Sequence, residues 1–582
     1  MYTKNKLVYR VRVISLLSIL IAVGLIARLY QVQIINSDFY ANEAKKQYSQ
    51  VKNGLFSRGS IFFSNQDGSL LSAATVKEGY VLAVNPKELE LSEKEVCYQL
   101  KSFLQDIDLK KCQQKISDKN RTYVELNNQV TKDKYQAISD LKLKGVNLYD
   151  TRWRYYPGKS LAAQTIGFIG YTDKDANLRG KYGLERYYDD ILFRQEKFYS
   201  VNYFAELFGS DDIKTKKEKI DNLNKDNKNK GDIVLSLEPS VSKFLSEVLK
   251  KTNDKYNSKV TGAIIMNPSN GEVVAMDLYP GFDLNNRNGV GIERFKNLLV
   301  ENVYEFGSIV KALTMAAGLD SGAVTADTTY YDAGHIRLNG STISNYDGRG
   351  RGVVPMQEVL NQSLNTGVSY VVKKMGRDKF RNYFLNYKLG SETGIDLPNE
   401  VFGLVDNLYS PRDLEYATAS FGQGIATTPI AIIRALSVLA NGGYLVTPHL
   451  VKQIRYQDGS VKDITYPKGK QVISKESSEE ISRMLTVVVD KALRGGRVKF
   501  KHYSVAAKTG TAQIPDTVNG GYYKDRYLHS FFGYFPSYNP KFIIFIYTVE
   551  PKGVRYASET LTTPFINLVK FLINYYNVVP DR

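Results

Sequence analysis

The chain is poor in the residues that ligate metals and staple small folds. Its 582 residues include 2 Cys, 4 His and 1 Trp. Two cysteines exclude a disulfide-dense scaffold and a Cys-rich zinc module. The histidines lie far apart and form no pair at ligand spacing, so no metal is expected and metal-dependent hydrolysis is disfavoured. Proline numbers 17 against 44 glycines, which excludes collagen-like and Pro-rich chains. Acidic residues are outnumbered, 60 against 78 Lys and Arg, for a net charge of +18. That balance suits an anionic partner: nucleic acid, lipid headgroups or an acidic polymer. What is present is otherwise ordinary. Hydrophobic residues make up 43% and charged residues 24%, as in globular chains. The length implies two to four domains at about 100–200 residues each.

The N-terminus redirects the charge argument. Residues 1–12 carry Lys4, Lys6, Arg10 and Arg12 and no acid. Residues 13–35 are apolar apart from Arg28 and a few neutral polar residues, and they are long enough to span a bilayer if Arg28 snorkels. Asn36-Ser37-Asp38-Phe39 offers no small-x-small cleavage site, which disfavours a cleaved signal peptide. The basic flank predicts a cytoplasmic tail, 1–12, a single-pass anchor, 13–35, and export of everything after it. Nucleic acid then leaves the list of partners and membrane lipid enters it. Cys97 and Cys112 would sit in an oxidising space, either bridged or as free thiols.

Residues 36–210 mix short helical and strand patterns. The run 214–230 is polar and reads as a solvated linker or exposed hairpin. After Gly231 the texture changes. A strand is predicted over 232–237 and a helix over 239–250. Apolar runs at 262–266 and 273–276, joined by NPSNG, read as a hairpin. Helices are predicted over 308–319 and 425–440, and a second hairpin over 530–535 and 542–549. Paired strands with helices between them imply an antiparallel sheet in a mixed α/β (α+β) layered domain.

Three short patterns carry chemistry: Ser308-Ile309-Val310-Lys311, Ser363-Leu364-Asn365 and Lys508-Thr509-Gly510-Thr511. The first two are cheap, since S-x-x-K recurs at Ser49–Lys52 and Ser240–Lys243 and S-x-N at Ser200–Asn202 and Ser537–Asn539. Context selects Ser308: it opens an apolar helix, and Lys311 follows one turn later on the same face. The pattern suits nucleophilic acyl transfer. A serine hydroxyl needs an adjacent base, and with no histidine at hand a lysine must serve. The ordinary lysine pKa, about 10.4, must then fall at a cost of roughly 4 kcal/mol. Burial, the helix dipole and a second cation, Lys508, push that way. Lys508 is expected on an exposed strand edge, as an anion anchor. Gly510 is expected to leave room for substrate. The backbone N–H groups of Ser308 and Thr511 are candidates for an oxyanion hole. Ser363 is the expected proton relay and Asn365 the holder of a substrate amide. Gly158-Lys159-Ser160 imitates the end of a P-loop, but Trp153 stands where its first glycine belongs.

In this order and spacing the three patterns resemble those of penicillin-binding proteins and serine β-lactamases. The whole chain is similar to a class B penicillin-binding protein. The resemblance extends to Arg58-Gly59-Ser60-Ile61, to Gly183-Leu184-Glu185 with Tyr187 and Asp189, and to Phe421-Gly422-Gln423-Gly424-Ile425 and His529-Ser530-Phe531-Phe532-Gly533. Phe306 departs from it, standing where the family usually has proline. The resemblance implies a penicillin-binding transpeptidase domain, 231–582, on an elongated, non-catalytic α+β pedestal, 36–230. It implies a serine-type D-Ala-D-Ala transpeptidase with no cofactor, cross-linking peptidoglycan stem peptides through a Ser308 acyl-enzyme. Ser308, Lys311, Ser363, Asn365 and Lys508 would be catalytic, while Lys508, Thr509 and Thr511 would grip the terminal carboxylate beside Gly510. β-Lactams would acylate Ser308. Expected partners are a membrane glycosyltransferase and division proteins, since Phe421 to Ile425 and the C-terminal Tyr575-Tyr576-Asn577-Val578-Val579-Pro580-Asp581 resemble the septal subgroup. The competing readings are an elongation-type enzyme and a β-lactam-acylated sensor or scaffold without turnover.

Overall fold

The computed structural model describes residues 2–35, 52–53, 56–104, 107–172, 178–194, 197–198, 229–467 and 469–582. The run 214–228, most of the polar stretch read as a linker, lies outside them. The described residues fall into two compact units. One takes those within 1–57, 79–152 and 195–223, and the other those within 58–78, 153–194 and 224–582.

In the first unit an N-terminal helix runs Tyr2–Tyr30, and its segment Val13–Tyr30 is apolar and long enough to cross a membrane. This fits a single-pass anchor. The rest of that unit packs the helices Glu93–Lys101 and Leu109–Ile116 beside the strand Val124–Val130. Ser92 and Glu95 cap the first of these helices reciprocally, and Asp108 caps the second. Val96, Leu100, Ile116 and Val130 are fully buried there. Cys97 and Cys112, one on each helix, form a disulfide, which decides the choice between bridge and free thiols.

The second unit is organised by a five-stranded antiparallel sheet: β1 (Val260–Met266), β2 (Val273–Tyr279), β3 (Ala506–Pro515), β4 (Tyr522–Phe535) and β5 (Phe542–Val549), in the order β2-β1-β5-β4-β3. Both predicted hairpins are present, β1 with β2 and β4 with β5. All seven residues of β1 are buried, because both faces of the sheet are covered. Ala263 and Ile265 face a layer made by α1 (Pro239–Tyr256) and α6 (Thr562–Tyr575). Ile264 and Met266 face the larger core built from α2 (Val310–Asp320), α3 (Asn365–Met375), α4 (Pro429–Ser437) and α5 (Lys475–Val487). This is the mixed α/β arrangement expected: an antiparallel sheet flanked by helices.

Local chemistry sets the helix starts. Thr428 accepts from the Ala431 amide with proline at the first helical position of α4. Glu238 does the same for α1 through the Val241 amide. Helix α2 is apolar on every face, and residues 310–318 are all buried, so it is a core helix rather than an amphipathic one.

Two distant segments noted in the sequence meet here. Arg58 Nε donates to Glu185 Oε2 at 2.6 Å, and Arg58 NH1 to Asp189 Oδ1 at 2.7 Å. Arg154 Nε donates to the other Glu185 oxygen at 2.6 Å. Burial alone would raise the Glu185 carboxyl, but Arg154 and Arg58 hold it below its usual range.

Candidate active site

The site forms where α2 begins beside β3. A short 3-10 turn, Gly307–Ile309, precedes α2 and places Ser308 half-buried at the cleft floor. Gly307 has φ +63°, and a Cβ there would press on the Thr511 carbonyl at 2.8 Å. At Gly510 a Cβ would collide with Ser530 Oγ and the Phe306 carbonyl oxygen. The missing Gly510 side chain therefore clears space for the turn that carries Ser308, not for substrate as expected. Ser530 Oγ donates to the Phe306 carbonyl at 2.7 Å and ties β4 to the same turn. The Phe306 side chain is buried edge-on against Phe545, with ring centroids 5.0 Å apart. That contact lets it occupy the position where proline was expected.

Lys311 lies one turn into this element and is fully buried. Its Nζ donates to the Ser363 carbonyl at 2.6 Å and lies 3.2 Å from Ser363 Oγ. Lys508 Nζ reaches the same Oγ at 3.0 Å and donates to the Thr509 carbonyl at 3.1 Å. One hydroxyl thus joins both lysines. Among the described residues the Ser308 hydroxyl makes no side-chain hydrogen bond of its own. Burial, reinforced by the Lys508 charge, lowers the Lys311 ammonium well below the ordinary lysine range. Lys508 differs from expectation. β3 is an edge strand, but the Lys508 side chain turns inward, only 3% exposed, and burial pulls its pKa down to about 7.

Ser363 has φ +55°, a left-handed conformation rare outside glycine and asparagine. Strain of that kind collects at functional sites. A buried polar network holds the turn. Asp332 accepts from Asn345 Nδ2 at 3.1 and 3.0 Å, from Thr366 Oγ1 at 2.8 Å and from the Arg351 amide at 3.1 Å. Asn345 Oδ1 in turn accepts from the Asn365 amide at 3.0 Å. Asn365 opens α3, and its side-chain amide donates to the Ser344 carbonyl at 2.8 Å.

Ser308, Ser363, Asn365, Lys508, Thr509 and Thr511 all line one cleft of about 740 Å³. Lys311 sits beneath it, and Gly510 faces the helix entry. The arrangement suits acyl transfer: a serine at the floor, a buried amine whose pKa is pulled down, and a hydroxyl linking that amine to a second lysine. Asp332, Asn345, Tyr346 and Tyr556 were not read from sequence. They act through contacts between segments far apart in the chain, and no local pattern marks them.

The penicillin-binding protein transpeptidase domain family matches residues 261–569, more than half of the chain. The penicillin-binding protein dimerisation domain family matches residues 56–230. The chain belongs to the class B penicillin-binding proteins. Stage V sporulation protein D of Bacillus subtilis is 31% identical over 465 residues, covering 78% of this chain and 69% of that protein. The peptidoglycan D,D-transpeptidase FtsI of Buchnera aphidicola (subsp. Schizaphis graminum) is 26% identical over 583 residues, covering 98% and 96%. Penicillin-binding protein 2X of Streptococcus thermophilus shares the fold, with a TM-score of 0.70 at 21% identity over 90% of this chain and 81% of that one.

Proposed function

We propose that this protein cross-links peptidoglycan as a serine D,D-transpeptidase and is a target of β-lactams. The observation that carries the reading is Ser363 Oγ, held 3.2 Å from the Nζ of the buried Lys311 and 3.0 Å from Lys508 Nζ. Ser308 Oγ attacks the carbonyl of the penultimate D-Ala of a stem peptide. The new O–C bond forms and the hydroxyl proton passes to Lys311. Ser363 delivers its proton to the departing D-Ala nitrogen as the C–N bond breaks, and Lys311, 3.2 Å from Ser363 Oγ, replaces it with the proton taken from Ser308. An amine of a second stem peptide then attacks the acyl-enzyme. Its N–C bond forms, the Ser308 ester bond breaks, and the proton lost by the amine returns to Ser308. Backbone N–H groups of Ser308 and Thr511 carry the developing oxyanion. Asn365 holds the donor amide, and Lys508, Thr509 and Thr511 hold its terminal carboxylate. No cofactor enters this scheme.

Residues 231–582 form the transpeptidase domain and 36–230 the non-catalytic pedestal in this reading. The anchor keeps 1–12 in the cytoplasm and the catalytic domain outside. The partners are a membrane glycosyltransferase and the division machinery. The role is septal, by the resemblance of Phe421 to Ile425 and of the C-terminal segment. Ser308→Ala should abolish labelling by a fluorescent penicillin while the melting temperature holds, and wild type should join two stem peptides in solution. Labelling that persists in the variant removes Ser308 from the mechanism. Acylation without cross-linking turns the reading into a sensor. Depletion should give filaments, and rounded cells would assign the protein to elongation.

A further inference from the structure

The cleft carries charge that the scheme above does not use. Its lining includes Arg494 and Arg555 besides Lys508, and no Asp or Glu among the described residues. Arg494 donates from Nε at 3.3 Å and from NH2 at 3.1 Å to the Ser558 carbonyl. The Ala557 amide donates to Thr511 Oγ1 at 3.0 Å. These contacts seat segment 555–558 against β3 at Thr511. Arg555 lies over the Tyr556 ring at 5.5 Å, and Tyr556 meets Tyr346 edge to face at 5.9 Å. Neither Arg555 nor Arg494 has a carboxylate partner among the described residues. Arg351, which lies over the same Tyr346, is instead neutralised by Asp347 at 2.8 Å. Two uncompensated guanidinium groups beside an acid-free cleft favour an anion, and their planar fork matches a carboxylate.

We infer that the cleft selects an acyl donor bearing a second carboxylate, on a side chain N-terminal to the D-Ala-D-Ala, and that Arg555 binds it while Arg494 holds the bearing segment and adds charge. The inference rests on the transpeptidase reading. That reading places the terminal carboxylate at Thr509 and the scissile carbonyl between Ser308 and Thr511. The donor chain before the scissile bond then continues along β3 past Thr511, toward Gln513. At about 3.3 Å per residue, a side chain one or two residues back lies about 3–7 Å beyond Thr511, along the part of the cleft lined by Gln513 and Arg555. A charge-assisted, forked contact there should favour the dicarboxylate donor by about tenfold.

The test compares two D-alanyl-D-alanine donors of equal length. In one the side chain before D-Ala-D-Ala ends in a carboxylate, and in the other in the primary amide. D-Ala release gives kcat and KM for each, and the ratio of kcat/KM between donors cancels any general loss of activity. Wild type should prefer the carboxylate donor, through KM. Arg555→Ala should bring the ratio close to one, Arg555→Glu should invert it, and Arg555→Lys should restore part of it. A wild type that treats the donors alike, or an Arg555→Ala that keeps the preference, overturns the inference while leaving the transpeptidase reading in place. If neither donor nor a penicillin acylates wild type, that reading falls and the inference falls with it.

Discussion

Two lysines share one hydroxyl here, and their different surroundings assign them different work. Lys311 is buried beneath the cleft, and burial with the Lys508 charge pulls it well below the ordinary lysine range, the direction a base requires. Lys508 titrates at about 7, so in the empty cleft it is a cation below that pH and loses its proton above it. Its grip on a carboxylate is therefore present on the acid side and lost as pH rises through about 7. For a β-lactam bearing a carboxylate, the second-order acylation rate should fall across that range. Lys508→Arg stays charged, so it should flatten this limb while lowering the plateau, because a wide fork replaces a point donor. A stopped-flow pH profile checks this, and an unchanged alkaline limb in Lys508→Arg would assign it to another group.

Among the elements, the buried cluster around Glu185 ties the strands Ser57–Arg58 and Val146–Tyr155 to the turn of helix at Gly183–Tyr187 through Arg58 and Arg154. Neutralising Glu185 leaves the buried Arg154 without its ion pair and Arg58 with Asp189 alone, a loss of about 3–5 kcal/mol. Glu185→Gln should therefore lower the denaturant midpoint of the second unit sharply. The pH dependence has a definite sign. A carboxyl held below its usual range contributes stability above its unfolded-state pKa and loses it as pH falls through the folded value. The variant should accordingly show a shallower fall in stability on acidification. Urea melts across the acid range measure both effects, and a variant as stable as wild type would contradict the assignment.

At the scale of the whole molecule, the apolar helix at one end decides where the chemistry can take place. Four cations and no acid precede its apolar segment, Val13–Tyr30, so the tail should stay on the cytoplasmic side. A periplasm-active phosphatase fused after Arg582 should be active, and a reporter that fluoresces only in the cytoplasm should be dark at the same position. The reverse pattern would invert the topology. The basic balance of the chain suits an anionic surface or an anionic polymer.

The family, the candidate motifs and both hairpins could be read from sequence because each depends on local order. Ser308 and Lys311 lie one turn apart on an apolar helix, the Lys508 motif occurs once, and alternating apolar runs flank turn residues. What pairs with what across the fold was not legible. Nothing local sets Lys508 inward from an edge strand, turns Gly510 toward the Ser308 turn, or brings Ser363 between two lysines separated by 197 residues (508 − 311). Burial depth is a property of the assembled core, and the lysine pKa values follow from burial depth. The choice between a bridge and two thiols at Cys97 and Cys112 likewise waited on whether two helices met. The sequence determined which groups are available for acyl transfer. The tertiary structure decided their charge states and their partners, because desolvation and hydrogen bonding act through space and not along the chain.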